Sequence, residues 1–188
     1  MTRKLTYRDH AEIGDRLLAD GWHARSIATP DRPGSRWILL DRDRRLQLTL
    51  ACDLAGPYAE LSAVHLPESQ HGASLWRLIA HAATPTTIVG VSRVAAASNV
   101  PVMPGSPAAA RRVLAKKLRR EGWRADRRRW AQSAAATVTW SSPYTSITVT
   151  WTAPGRRTSG GWEIKGEGLH VAAHPATPAP ILCMIATA

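Results

Sequence analysis

A dense run of cationic side chains between Arg111 and Arg129 is the part of this sequence best suited to do chemistry. The run reads RRVLAKKLRREGWRADRRR and holds ten Arg or Lys residues against only Glu121 and Asp126. A guanidinium buried without a partner is very costly, so these side chains must face water or a polyanion. The run therefore predicts an exposed surface that is either solvated or meets negative charge.

Most of the excess positive charge lies in the second half of the chain. The 188 residues carry a net charge of +11. Residues 1–99 hold twelve Lys or Arg against ten Asp or Glu, whereas residues 100–188 hold thirteen against four. A basic unit beside a nearly neutral one is typical of proteins that bind nucleic acid.

The first part of the basic run has helical spacing. Ala110, Leu114 and Leu118 recur every fourth residue after Pro107, which predicts a helix with one apolar face. Six cations would project from the rest of that helix: Arg111, Arg112, Lys116, Lys117, Arg119 and Arg120. Such a face suits phosphates, and binding would weaken with salt because counterions are released.

The second part of the run mixes cations with aromatic residues on predicted strands. The cations there are Arg124, Arg127, Arg128 and Arg129. Trp130 and Trp140 are candidates to stack on bases while the cations follow the phosphates of a single strand. Strand alternation equally allows both tryptophans to lie in the core. Arg156 and Arg157, in the turn APGRRTSGG, are further candidates for phosphate contacts.

These features lead to the hypothesis of a nucleic-acid-binding protein. DNA is favoured as the partner, with single strands slightly ahead of duplex, because no helix-turn-helix pair is evident. The alternative is a protein-interaction module, of plasmid or phage type, whose basic face meets an acidic partner. We expect no enzyme activity, cofactor, metal or small-molecule substrate. His170 and His174 lack a third ligand, and phosphate-loop and nucleophile motifs are absent.

The chain also repeats itself. Four positions of the first half recur 101 residues later, since Ile13, Leu17, Gly21 and Trp22 match Leu114, Leu118, Gly122 and Trp123. The set Leu46, Leu48 and Leu50 matches Ile147, Val149 and Trp151 at the same spacing. Near the end the spacing becomes 93, where His81, Thr84 and Pro85 match His174, Thr177 and Pro178. We expect a first repeat over 1–99, a linker over 100–106 and a second repeat over 107–188.

The repeat predicts an α+β fold built from two similar units. Each unit would hold a helix, about four antiparallel strands and a second helix, with Thr6 and Asp9 capping the first helix and Gly21 ending it. Pseudo-two-fold packing of the units would bury both faces of their sheets. The last segment, PAPILCMIATA, is apolar all round and should be buried between the units or against another subunit. The predicted core includes Trp22, Trp37, Trp76 and Trp123.

The motifs that close each unit resemble those of a known domain family. Trp76-Arg77-Leu78, then Thr84-Pro85 and an aliphatic helix, is similar to the closing motif of the SPDY-type domain, an actinobacterial family of unknown function. The turn Ser142-Pro143-Tyr144 resembles that family's Ser-Pro-Asp-Tyr turn without its Asp, and Leu169 stands where the second copy of the motif would have Trp. The predicted architecture is also similar, by analogy alone, to Whirly-type and PC4-type single-stranded DNA-binding folds.

Membrane and export signals are not evident in the sequence. No run of about 18 apolar residues predicts a membrane-spanning helix. The segment MTRKLTYRDH lacks the apolar stretch of a signal peptide. We therefore expect a cytoplasmic protein without a membrane partner, and a homo-oligomer remains open.

Overall fold

The computed structural model describes residues 4–27, 34–63, 76–97, 106–129, 136–155 and 159–187. Within these residues the chain forms an α+β fold with four helices and ten strands. The helices are α1 (Tyr7–Ala19), α2 (Pro85–Ala97), α3 (Pro107–Arg120) and α4 (Ala179–Ala186). The strands are β1 (His23–Ile27), β2 (Arg36–Leu40), β3 (Leu46–Asp53), β4 (Gly56–Ala63), β5 (Trp76–Ala82), β6 (Arg124–Arg129), β7 (Ala136–Ser141), β8 (Thr148–Thr152), β9 (Gly161–Gly166) and β10 (Leu169–Ala173).

The strands form one antiparallel sheet with the order β1-β2-β3-β4-β5-β10-β9-β8-β7-β6. Residues 4–97 (the first half) and 106–187 (the second half) each contribute a helix, five strands and a helix in that order. Each half thus has five strands, where about four were predicted. The halves meet where β5 pairs with β10, with Leu78 opposite Ala173 and Ala80 opposite Val171.

The helices lie on one face of this sheet. Contacts run from α1 to α2, from α2 to α4 and from α4 to α3, so the four form one layer. Leu46, Leu48 and Leu50 of β3 point to that layer and are buried, whereas Gln47 and Thr49 face the other way and keep part of their exposure. The prediction that both sheet faces are buried was wrong. The halves join edge to edge, and the second face carries polar residues that tolerate water.

Local signals for the helix ends are confirmed by the hydrogen bonds. The backbone N–H of Asp9 donates to Oγ1 of Thr6 (3.2 Å), and the backbone N–H of Thr6 donates to Oδ2 of Asp9 (2.8 Å). This reciprocal pair is a capping box. Gly21 follows α1 with a φ of 86°, the left-handed conformation that glycine adopts at little cost. Gly122 follows α3 in the same conformation, with a φ of 82°.

The core occupies the space between the helix layer and the sheet. All four tryptophans predicted for the core are buried there: Trp22, Trp37, Trp76 and Trp123. Helix α4 contacts both α2 and α3, and most of its residues are buried, as its uniformly apolar sequence predicts. The helix layer thus spans the junction of the two halves, because α2 belongs to one half and α4 to the other.

Candidate nucleic-acid interface

Helix α3 packs on the core through one narrow face and leaves its cations in water. Ala110, Leu114 and Leu118 are its buried residues. Pro107 stands in the first turn, where its missing N–H costs no hydrogen bond. The exposed cations are Arg111, Arg112, Lys116, Lys117, Arg119 and Arg120. The predicted helix and the predicted split between apolar and cationic faces are therefore confirmed.

Four of these cations border a groove between α3 and the end of the sheet. The groove has a volume of about 640 Å³. The groove cations, as we call them, are Arg111, Arg112, Lys116 and Arg119. Its remaining lining comes from small or apolar residues of the helix and of β6 and β7, namely Ala115, Ala125, Ala136, Thr137, Val138 and Trp140. Within the part of the chain that the structure describes, none of the groove cations forms a salt bridge. A cationic wall therefore stands over a largely apolar floor.

Lys117 and Arg120 project from the other side of α3. Lys117 Nζ lies 3.8 Å from Oε1 of Glu121, one turn further along. Both charges act on the buried thiol of Cys183 in α4, although burial is the main cause that raises its pKa. Because Lys117 has a nearby acid and the groove cations have none in the described chain, the two sides of α3 differ in the charge they offer a ligand.

The strand cations lie along the outermost strand of the sheet. Arg124 is exposed and pairs in register with Ser141 at the start of β6. The backbone of Arg127, Arg128 and Arg129 continues β6 and pairs with residues 136–138 of β7. The predicted strand therefore forms and carries these residues beside the groove. Trp130, Arg156 and Arg157 lie outside the described residues.

Trp140 belongs to the core. It is only 5% exposed, and its ring stacks on that of Trp162 with 6.3 Å between the centroids. Trp162 in turn contacts Trp151 at 4.6 Å. The register explains the burial, because Trp140 lies opposite Val149 of β8 on the face that the helices cover. Its predicted role as an exposed stacking platform is thus corrected, and it contributes only an edge to the groove lining.

The space under α1, at the other end of the sheet, is filled. There the indole of Trp37 lies against Gly14, so closely that a Cβ at Gly14 would overlap the six-membered ring. The residues 101 positions later are Val138 and Ala115, both in the groove lining. Four other first-half residues stand at the positions of the groove cations: His10, Ala11, Asp15 and Leu18. Sequence reasoning missed Val138 and Ala115, although comparing the halves at this spacing would have shown that the second half has no indole at the position of Trp37.

A second cleft, of about 630 Å³, lies on the sheet face opposite the helices. Arg77, Thr150, Thr152, Glu163 and His174 are among its lining residues. Burial alone would raise the pKa of Glu163. Hydrogen bonds from Lys165 and His170 outweigh that effect, so the pKa lies below its usual value. Lys165 Nζ is 2.7 Å from this carboxylate. Because the acid is held ionised by its own neighbours, it is poorly suited to take up a proton from a substrate.

Metal, membrane and family comparisons add no further assignment. No group of three or more His, Cys, Asp or Glu residues in the described ranges is arranged to hold a metal ion. Among the described helices, none combines the length and apolar character needed to cross a membrane. Comparisons of the chain with protein-family models, with curated proteins and with solved structures give no match.

Proposed function

We propose that this protein binds nucleic acid, with DNA favoured, through the groove-facing side of α3. The observation that carries the proposal is the arrangement of the groove cations. These four cations border one groove and have no acidic partner within the described chain. Cations held close together repel one another, and a polyanion relieves that repulsion while releasing its own counterions. Phosphates at regular intervals along a strand match a row of cations along a helix.

The floor of the groove favours a single strand over duplex. Val138 and the edge of Trp140 are apolar, and the small side chains of Ala115 and Ala125 leave room above them. A single strand can turn unstacked bases toward such a surface while its phosphates face the cations. Duplex DNA keeps its bases stacked inside, so it would contact the cations alone. We therefore expect tighter binding of single strands than of duplex at equal length.

The two halves are, in our proposal, copies of one ancestral unit, and the groove is a feature of the second copy. Strand registers support this origin, because Ala24 faces Leu39 in β1–β2 and residues 125 and 140, each 101 positions later, face one another in β6–β7. Likewise Trp37 faces Leu50, and the pair 138 and 151 repeats that alignment. The resemblances to the SPDY-type domain and to Whirly-type folds remain predictions.

A charge-matched pair of variants tests the proposal. Arg112→Ala with Arg119→Ala removes two groove cations, and Lys117→Ala with Arg120→Ala removes two cations from the other side of the same helix. Binding of labelled oligonucleotides is measured by fluorescence anisotropy at several salt concentrations. The groove variant should bind single strands about tenfold more weakly and flatten the log–log salt slope by about 1.4, from roughly 0.7 for each lost phosphate contact.

The matched control variant should change affinity far less. Equal losses in the two variants would mean that only net charge matters, and the groove would have no special role. If the unaltered protein binds no oligonucleotide at low salt, the proposal fails. Binding of poly-glutamate in place of oligonucleotides would instead favour an interaction module that meets an acidic partner.

A further inference from the structure

The turn between β7 and β8, residues 142–147, carries the most exposed aromatic side chain of the described chain. Tyr144 is 85% exposed, whereas every described tryptophan is buried. Leaving a phenol ring in water forgoes the stability that burial of its apolar surface would give. The exposed ring therefore contributes little to the fold.

The turn that carries this ring is held in place by its own hydrogen bonds. The backbone N–H groups of Tyr144 and Thr145 both donate to Oγ of Ser142, each over 3.2 Å. The N–H of Ser142 donates to the carbonyl of Ile147 at 3.0 Å, which closes the hairpin. The backbone beneath the ring is thus ordered before any ligand arrives, so less conformational freedom is lost on binding.

The same turn lies against the C-terminal end of α3. A Cβ at Gly122, just after α3, would be only 3.7 Å from Cγ of Pro143, so the turn rests against that end of the helix. Ser141, which precedes the turn, pairs with Arg124. Arg119 stands in the last turn of α3 and is the groove cation nearest in sequence to this end. The turn that carries the exposed ring therefore lies next to the end of α3 that bears Arg119.

The first half shows that the scaffold does not require an aromatic residue here. The residue 101 positions before Tyr144 is Asp43, in the turn between β2 and β3. Oδ2 of Asp43 lies 3.0 Å from a guanidinium nitrogen of Arg45, so the charge of Asp43 is paired within its own turn. Asp41 stabilises it further by accepting a hydrogen bond of 2.8 Å from the backbone of Leu46. Of these two turns, only the one that lies against the end of α3 carries an aromatic side chain.

We infer that Tyr144 stacks on a base of a single-stranded nucleic acid whose phosphates lie along the groove cations. This inference rests on the proposed function and adds a contact to the base, where the cations contact only the backbone. The phenol is a sequence-tolerant platform, because every base presents a π-face. Duplex offers such a face only at its ends, so Tyr144 would contribute to the preference for single strands.

The test uses the full chain and three ligands of equal length: a single-stranded DNA, the same strand with abasic sites, and a duplex. Tyr144→Ser should weaken binding of the single strand about tenfold, within the range known for base–aromatic stacking. The salt slope should stay unchanged, because no charge is removed. Affinity for the abasic strand and for the duplex should be unaffected. Tyr144→Phe should restore the affinity for the single strand, since the ring is kept.

A second exposed turn supplies the control. Leu54, between β3 and β4, is fully exposed, so Leu54→Ser removes apolar surface far along the chain from the groove and should leave binding unchanged. If Tyr144→Ser binds the single strand as well as the unaltered protein, the inference is overturned. A loss of the same size with the abasic strand also overturns it. In either case the groove-cation variant still reports on the proposed function separately.

Discussion

Between α1 and β2, the indole of Trp37 packs against Gly14 and fills the space under the helix. Between α3 and β7, the positions 101 residues later hold Val138 and Ala115, and a groove of about 640 Å³ remains. One large side chain thus accounts for much of the difference between a packed edge of the sheet and an open one. A chain that only needed stability would gain by filling this space, because apolar contacts are lost along an empty lining.

Helices α1 and α3 also differ in charge, and the exposed cations are on α3, beside the open groove. His10 is completely buried in α1, and its counterpart Arg111 is exposed in α3. The second half keeps the buried positions, since Leu114 and Leu118 stand where the first half has Ile13 and Leu17. Packing in the core therefore explains why both halves have apolar residues at these buried positions. It does not explain the cations of α3, which are exposed to water. That separation between scaffold and surface leads to predictions at three pairs of positions.

The largest expected effect concerns His10. Burial lowers the pKa of His10 from 6.5 to about 4. The unfolded chain then binds a proton more readily than the folded one, so stability is complete above pH 6.5 and falls as the pH drops toward 4. We expect a loss of about 2 kcal/mol by pH 5 and about 3 kcal/mol by pH 4, from 1.36 kcal/mol for each pKa unit.

Urea unfolding at four pH values between 4 and 7 checks this expectation. His10→Leu removes the titrating ring, so the stability of this variant should vary much less over that range. Arg111→Leu, at the corresponding position of α3, should keep the pH dependence of the unaltered protein, because an exposed arginine does not titrate there. Parallel curves for the unaltered protein and His10→Leu would show that burial of this histidine is not the cause.

The second prediction concerns the contact that fills the first-half space. Gly14→Ala should lower the free energy of unfolding by up to about 2 kcal/mol. Overpacking typically costs ~1–3 kcal/mol, and the better helix propensity of alanine offsets about 1 kcal/mol. In a Trp37→Val background the same change should no longer destabilise, because the overlapping ring is gone. A double-mutant cycle measured by denaturant unfolding gives this coupling.

The matched change in the second half is Ala115→Gly. Val138 takes the position of Trp37 in the second half, so this substitution should cost only the loss of helix propensity, about 1 kcal/mol. A coupling near zero between Gly14 and Trp37 would contradict the comparison, since the two spaces would then be packed alike.

The sequence revealed those parts of this structure that depend on neighbours in the chain. The capping box of Thr6 and Asp9, the alternation of Leu46 and Leu48, and the apolar run of α4 are local patterns, and each formed as predicted. The pairing of β5 with β10 is not local, because the two strands lie far apart in the sequence. No local pattern in either strand predicts which strand it pairs with. This pairing was therefore not predicted. The exposure of one face of the sheet, which follows from the pairing, was not predicted either.

In the candidate site too, the features that depend on local spacing were predicted and those that depend on strand pairing were not. The cations of α3 were identified because helical spacing fixes which side chains share a face. The burial of Trp140 depends on register with β8, which alternation alone leaves open by one residue. The groove depends on the absence of a large side chain at position 138, where the second half has Val and the first half, at the corresponding position, has Trp. Nothing in the sequence around Val138 indicates by itself that a larger residue is absent. Only a comparison of the two halves makes it visible.

The smallest expected effect comes from placing a large side chain in the groove. Val138→Trp combined with Ala115→Gly gives the second half the pair that fills the first-half space, and it removes none of the groove cations. We expect the variant to fold, because the first half accommodates this pair in the same register. Single-stranded DNA should bind about fivefold more weakly, since bases lose the apolar floor.

The salt dependence separates this result from a loss of charge. Each groove cation can still meet a phosphate, so the log–log slope of affinity against salt should match that of the unaltered protein. Affinity for duplex should also stay the same, because duplex contacts only the cations in our proposal. If the filled variant binds single strands as tightly as before, the groove is not occupied by bases. The difference between the halves would then lie in the charge of α3 alone.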